Sequence, residues 1–425
     1  GGHVRRALAA FPDQEIAGRI IDRYFIDGGK AASQPFANKP MVGDRQGRQL
    51  EELLIAANFV EVFLAKENHD GLVGINYLNK ILAPTLPSLF GAMLAGVDVV
   101  LMGAGIPLEI PAAIDKLAKG EAASLDMHLP GGTQAHQFDF DPRRHFPDQL
   151  PPLNRPYFFP IVASTTLATM LVKKSKVDGL VIEEATAGGH NAPPRGALKL
   201  NEKGEPVYGP RDEVDPAAIA ALGLPFWLAG SCGSPEKLRQ ALAVGATGIQ
   251  LGTLFAFCEE SGLRDDLKLS TINECRHGSP EVFRDPLASP TGFPFQVLSV
   301  PGTLSEDQVY GERCRQCDLG YLREAYEKPD GSLGWRCRSE APEEYVKKGG
   351  KLEDTVGRKC LCNGLMANIG LGQTRAGYKE LPLVTCGDDL SGITAVLQPE
   401  ADSYSAAEVI DFLLSDRKVP ELTCA

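Results

Sequence analysis

The sequence predicts an α/β fold built on a parallel sheet. Two patterns carry that expectation. Short apolar runs end at Gly, Asn, Ser or Thr, and helix-like stretches lie between them, repeated from about residue 70 to about 260. Apolar runs of this kind suit strands buried on both faces, and their alternation with helices suits crossover connections. A third observation bounds the size. The chain has 425 residues, 43% hydrophobic and 23% charged, an ordinary globular composition that allows two or three domains, or one barrel plus an extension.

Helix-like segments at 16–25 and 49–66 come before the first strand. Strands follow at 71–78 (GLVGINYL), 97–102 (VDVVLM), 157–164 (YFFPIVAS), 179–183 (GLVIE), 225–230 (PFWLAG) and 248–253 (GIQLGT). Further helices are expected at 87–95, 109–119, 166–175 and 235–244. The last is the best specified. Ser234 is an N-cap and Pro235 a first helical residue, Leu238, Ala241 and Leu242 form an apolar face, and Gly245 suits the position after the end.

Two connections are long. Residues 121–155 carry Pro130, Gly131, Gly132, Pro142, Pro147, Pro151 and Pro152 and read as an inserted hairpin or lid on the catalytic rim. Residues 191–224 carry Pro193, Pro194, Arg195, Gly196 and Pro210. Long βα loops are where barrel enzymes place substrate control. Beyond about residue 260 the alternation stops and Pro, Gly and Cys become frequent. The chain divides into a catalytic part, 1–262, and a Cys-containing extension, 263–425, in which 393–397 reads as a short strand and 406–414 as a helix.

The net charge is −12 without a basic run, which argues against nucleic acid or an anionic membrane as partner. Small anions remain allowed, because backbone donors bind phosphate whatever the overall charge. No run approaches about twenty apolar residues, so no membrane-spanning helix is expected. Nor is a signal peptide, and ten Cys then read as reduced thiols of a cytoplasmic protein.

Several stretches carry candidate chemistry. In 183–196 (EEATAGGHNAPPRG), Gly188 and Gly189 let the backbone approach a flat ligand, and His190 sits where a strand ends. Parallel α/β folds keep reactive groups there, and a His can act as a base near neutral pH. A turn with a structural His is the equal competitor. In 225–253, turns at Gly230, Ser231, Cys232 and Gly233 and at Gln250, Gly252 and Thr253 end two strands, with a helix N-terminus between them. Backbone amides in such turns hold a phosphate without Lys or Arg, although an ordinary βαβ unit has the same outline. Asn76 ends the VGIN strand, where it either contacts a ligand or only terminates the strand. MGAGIP (102–107) is not a GxGxxG fingerprint and does not support a dinucleotide fold.

Cys314, Cys317, Cys337, Cys360 and Cys362 admit two readings, a structural Zn²⁺ on four of them or a set of buried reduced thiols. No metal is assigned to the site. His128, His136 and His145, near Asp139 and Asp141, read as a solvated polar loop ahead of a metal site. Cys232 is expected as a small loop residue and not a nucleophile.

Taken together, VGIN (73–76), MGAGIP (102–107), PIVAS (160–164), TAGGH (186–190), FWLAGSCGSPEKLRQALAVGATGIQLGT (226–253) and CEESG (258–262) resemble the nitronate monooxygenase family, formerly the 2-nitropropane dioxygenases. That family includes FMN-dependent enoyl-ACP reductases. The resemblance spans about residues 70–262. The CDLGYL (317–322) and KCLCNGL (359–365) stretches look like a long-form subgroup.

The resemblance implies a (β/α)8 TIM barrel binding FMN. Gly188 and Gly189 would line the flavin, and Gly230, Gly233, Gly252 and Thr253 would hold its phosphate. Asn76 and Gln250 would be polar contacts, and His190 the catalytic residue that removes the α proton of a nitroalkane or orients a nitronate. Reduced flavin would react with O2, releasing a carbonyl compound and nitrite. NAD(P)H-dependent reduction of an enoyl thioester is the enzymatic alternative, and a non-catalytic flavin- or partner-binding protein, with an oligomer allowed, is a third reading. Six strands stand where the barrel has eight. The expectation is therefore that the first one or two βα units are lacking and that the chain is a fragment of a longer protein.

Overall fold

A computed structural model describes residues 1–43, 47–129, 135–148, 150–278, 280–375 and 377–415. The first part of the chain forms β1 (Gly74–Leu78), β2 (Val99–Gly103), β3 (Ala123–His128), β4 (Ala135–Phe140), β5 (Tyr157–Val162), β6 (Leu180–Glu183), β7 (Phe226–Ala229) and β8 (Gly248–Gln250). Six of them make one sheet in the order β1-β2-β5-β6-β7-β8, and every neighbouring pair is parallel. These are the six apolar runs singled out in the sequence. The sheet is an open half-barrel. Among the described residues, no strand pairs with the free edge of β1 or of β8.

The helices α1 (Gly2–Ala9), α2 (Gln14–Tyr24) and α3 (Arg48–Ala65) precede the sheet. Then α4 (Thr85–Leu94), α5 (Ile110–Ala118), α6 (Thr165–Lys174), α7 (Pro216–Ala220) and α8 (Pro235–Ala243) return the chain between successive strands of it. The starts of α6, α7 and α8 are capped by side chains. Ser164 accepts the Leu167 N–H at 3.1 Å and Ser234 that of Lys237 at 3.2 Å, and Pro235 follows at the first helical position.

Strand periodicity decides what is buried. In β2 and β5, Val100, Met102, Phe158 and Val162 are buried in the core with the helices, while the alternating Leu101, Phe159 and Ile161 are only half-buried. Phe159 stacks on Trp227 at 4.9 Å on that second face. The N-terminal ends of the strands are held by carboxylates. Asp98 accepts the Val73 N–H at 2.8 Å and Lys66 Nζ at 2.6 Å. Asp178 accepts the Phe158 N–H at 2.8 Å and Arg155 Nη1 at 2.6 Å, and Arg155 Nε reaches Asp115 at 2.6 Å. Charge-assisted bonds of this kind fix one end of the sheet and leave the C-terminal ends free to carry a site.

The 121–155 connection is indeed a hairpin, β3 against β4. It is not a lid on the rim of strand C-termini. It leaves the end of a helix and leads into the start of a strand, and its apolar residues Leu125, Phe138 and Phe140 are buried. Phe140 packs on Phe90 of α4 at 5.5 Å. His145, expected in a solvated loop, is buried, stacks on Phe140 at 5.8 Å and bonds Glu51 Oε2 of α3 at 2.7 Å. Pro130, Gly131 and Gly132 lie outside the described residues.

Helix α9 (Thr253–Ala256) closes the catalytic part, and the extension comprises α10 (Asp265–His277), the antiparallel pair β9 (Val282–Asp285) and β10 (Phe295–Leu298), α11 (Asp307–Gly311), the hairpin β11 (Glu324–Glu327) and β12 (Leu333–Arg336), α12 (Pro342–Lys347), α13 (Leu361–Asn368), the short pair β13 (Thr374–Arg375) and β14 (Tyr378–Lys379), α14 (Ser391–Val396) and α15 (Ala406–Leu414). The 393–397 strand expected from sequence is a helix instead. Asp389 accepts the Ser391 N–H at 2.9 Å at its start, and Ile393 and Val396, one turn apart, are both buried. One apolar cluster runs through position 262, joining Leu254, Phe257 and Cys258 to Leu298, Val384, Ile393 and Val409.

Helices α3 and α4 approach so closely that a Cβ on Gly91 would stand 2.1 Å from the Ile55 carbonyl oxygen. Gly91→Ala therefore forces the two helices apart. The expected cost is about 1–3 kcal/mol of stability, read as a lower urea midpoint with an unchanged slope.

Candidate functional site

The turn after β6 is held from behind by two distant segments of the extension. The Gln296 N–H donates to the Gly189 carbonyl at 2.9 Å and the Asn191 N–H to the Pro294 carbonyl at 3.0 Å, so 189–191 lies against β10 as an added antiparallel bridge. The Gly189 N–H donates to Thr385 Oγ1 at 2.9 Å, and that hydroxyl donates to the Gln296 carbonyl at 2.7 Å. The Asp388 N–H reaches the Thr186 carbonyl at 3.0 Å. Gly188 is required here by packing, because a Cβ would stand 2.7 Å from the Cys386 carbonyl carbon.

A cavity of about 510 Å³ opens at the C-terminal ends of β1, β2, β5 and β6. Asn76, Gly188, Gly189 and His190 all line it, on an edge strand in the case of Asn76. The 191–224 connection contributes Arg195, Tyr208 and Asp212, and the extension contributes Phe293, Phe295 and Thr385. Among the described residues, none of 121–155 lines it.

The other five residues singled out for a cofactor stand elsewhere. Gly230, Gly233, Gln250, Gly252 and Thr253 do not line this cavity. Their turns nevertheless meet the β6 turn: a Cβ on Gly230, whose φ is +101°, would lie 2.7 Å from Thr186 Oγ1. The extension covers them. The Gly387 N–H donates to Thr253 Oγ1 at 2.9 Å, and a Cβ on Gly392 would stand 2.8 Å from the Gly233 carbonyl oxygen. A flat ring system therefore fits the cavity beside Gly188 and Gly189. A phosphate group seated on the 230–233 and 252–253 turns does not fit beside residues 387–392 as they lie. Two buried oxygens without a partner, Asn191 Oδ1 at the cavity wall and Thr186 Oγ1 beside Gly230, mark unfilled hydrogen-bonding capacity on both sides.

His190 is held firmly. Its Nε2 and Ser289 Oγ are hydrogen-bonded at 2.7 Å, the tautomer deciding which donates, and its ring meets Phe295 edge-on at 4.9 Å and Phe293 at 6.4 Å. Burial, reinforced by the positive charge of Lys80, lowers its pKa to about 4, so it is neutral at neutral pH. Glu183, the last residue of β6, lines the same cavity, and burial raises its pKa to about 7. Cys232, whose thiol bonds the Gly230 carbonyl and is pushed by burial up to about 11, is no nucleophile at neutral pH.

Sequence reasoning missed Glu183, Asn191, Tyr208, Ser289 and Thr385. Glu183 carried a signal, a carboxylate closing an apolar strand. Ser289 and Thr385 carried none, because their role depends on bonds across 99 and 196 residues of chain.

Residues 137–276 match the family model described as nitronate monooxygenase. A 99-residue stretch is 36% identical to a probable nitronate monooxygenase of Bacillus subtilis, covering 23% of this chain and 27% of that protein. A 102-residue stretch is 34% identical to a nitronate monooxygenase of Pseudomonas aeruginosa, covering 24% and 27%. The match thus spans about a quarter of the length of these curated relatives. Among solved structures, FabK from Thermotoga maritima aligns at a TM-score of 0.46 and 18% identity, over 86% of this chain and 80% of that one. A nitroalkane oxidase from Streptomyces ansochromogenes aligns at 0.39 and 14%, over 90% and 80%.

The two shifted groups give opposite pH signatures. Glu183, raised from 4.5 to about 7, stabilises the fold fully below pH 4.5 and loses that contribution as pH rises through 7. His190, lowered from 6.5 to about 4, contributes above pH 6.5 and loses its contribution as pH falls through 4. Glu183→Gln should therefore gain stability relative to the parent as pH rises through the first window, and His190→Gln as pH falls through the second. Urea midpoints on either side of each window check both signs.

Proposed function

Since residues 137–276 relate the chain to the nitronate monooxygenase family, we propose that it is a flavin-dependent oxidoreductase with nitroalkanes or their nitronates as the substrate class; FMN, the flavin the resemblance implies, would reach the 230–233 and 252–253 turns with its phosphate only if residues 387–392 moved aside. The six strands stand for six of the eight in a (β/α)8 barrel. The observation that carries the reading is the single cavity in which Asn76, Glu183, Gly188, Gly189 and His190 meet at the ends of parallel strands. Such strand ends are where parallel α/β folds gather chemistry.

When bound, a flavin supplies two-electron chemistry toward the substrate and toward O2. The chain's own groups do the rest. The backbone at 188–189 presents no side chain at Gly188 or Gly189 to a flat ring. Asn191 Oδ1 offers an unfilled acceptor and Asn76 an amide at the cavity edge. His190 is neutral and fixed by Ser289, so it orients a polar substrate group through a hydrogen bond. Its pKa of about 4 makes it a weak proton acceptor. Glu183, near 7, is the group matched to proton transfer at neutral pH, because a general base works best with its pKa close to the working pH. In this reading His190 positions the nitro group and Glu183 takes the α proton of a neutral nitroalkane.

The test uses the full chain with added FMN. O2 uptake with nitrite release from a nitronate supports the proposal. NAD(P)H oxidation coupled to an enoyl thioester, without nitrite, replaces it with the reductase reading, and a protein that binds flavin but does neither removes catalysis. Glu183→Gln should lose about a hundredfold or more on neutral nitroalkanes and much less on preformed nitronates, where no proton has to be removed. His190→Ala should lose turnover on both while keeping flavin absorbance.

A further inference from the structure

The five cysteines of the extension are sorted by the fold. Cys314 is exposed, whereas Cys317, Cys337, Cys360 and Cys362 line one small cavity of about 10 Å³. They come from three separate places: the CDLG turn, the residue after β12, and the start of α13. The cavity holds about one solvent-sized sphere, enough for a single ion and too little for an iron–sulfur cluster.

One of these sulfurs has a side-chain N–H donor. Asn363 Nδ2 donates to Cys360 Sγ at 3.6 Å. A neutral thiol is a poor acceptor and gains little from such a partner, whereas a thiolate gains a charge-assisted bond. The donor at Cys360 is therefore suited to negative charge on that sulfur. Arg323 also stands at the cavity wall. Among the described residues no three His, Cys, Asp or Glu side chains form a ready-made coordination set, so the sulfurs surround the space and have to close on what fills it.

We propose that Cys317, Cys337, Cys360 and Cys362 bind one thiophilic divalent ion, Zn²⁺ by its preference for tetrahedral thiolate sets, as a structural site of the extension. Soft sulfur ligands select against Mg²⁺ and Ca²⁺, and four protein ligands leave no open position for substrate. Binding converts four thiols to four thiolates and releases four protons to solvent, while the ion keeps its charge and no electron moves. Cys314, the nearer half of the CxxC, is left out.

The test is metal analysis of the full chain purified without chelator, paired with thiol titration of the native protein. The expected result is about one zinc per chain, with four thiols unreactive until the ion is removed. Cys337→Ser and Cys362→Ser should reduce zinc to background, while Cys314→Ser keeps it. If those two variants fail to fold, Co²⁺ added to the metal-stripped parent decides. The visible bands of tetrahedral cobalt thiolate support the site, and their absence overturns it. Folded parent protein with substoichiometric metal, zinc retained in both serine variants, or a disulfide between any two of the four also overturns it.

Discussion

The candidate site depends on one contact: the seating of the extension on the glycine turn that follows β6. A turn of this kind at the end of a parallel strand has amides and carbonyls that the sheet does not satisfy. Here the Gly189 carbonyl accepts from Gln296, its N–H donates to Thr385, and the Thr186 carbonyl accepts from Asp388. Those partners lie about a hundred and two hundred residues further along the chain. A side chain at position 188 would push the Cys386 backbone away, so Gly188 serves the protein's own packing as well as any ligand. The residues that read as a motif for binding a flat molecule are thus also the socket into which the extension plugs.

That seating sets the electrostatics. Ser289, Phe293 and Phe295 wall in His190, and the burial they impose, together with Lys80, is what holds the imidazole neutral. The same loss of solvent acts on Glu183 in the opposite direction, holding a proton on the carboxyl up to about pH 7. Desolvation penalises whichever form carries charge, so one dry cavity lowers the His and raises the Glu. Near neutral pH the cavity then presents a neutral imidazole and a carboxyl at its midpoint. This combination tolerates an incoming anion better than an ionised carboxylate would.

Much of the scaffold was legible in the sequence, and the physical reason is locality. Each of the six parallel strands is an apolar run closed by a turn residue, and α8 announces itself through Ser234, Pro235 and the apolar spacing after them. What failed had no local signature. Residues 393–397 are apolar enough for either state; the turn in which Asp389 accepts the Ser391 N–H starts a helix there, and among the described residues no strand pairs with them. The 121–155 insertion was recognisable as a hairpin, but its side of the barrel follows from whether it leaves a helix or a strand. Within the site, His190, Gly188, Gly189 and Asn76 converge on one cavity. The turns at 230–233 and 252–253 meet them only behind the segment 385–392, whose position no spacing rule reveals.

The extension is also continuous with the catalytic candidate through short bonds. From Cys360 the chain runs back to Lys359, whose N–H donates to the Ala288 carbonyl at 2.8 Å, and to Arg358, whose guanidinium donates to the Ser289 carbonyl at 2.7 Å. Ser289 Oγ is the partner of His190 at 2.7 Å. The segment that carries two of the four clustered thiols therefore grips the residue that orients the imidazole. Rigidity added at Cys360 and Cys362 lowers the conformational freedom of Arg358 and Lys359, and with it the range of geometries open to Ser289. Ordering of this kind is carried by contiguous, well-packed bonds, and the path is three residues long. The thiol cluster, remote from the cavity in sequence, is on this argument part of what keeps His190 in place.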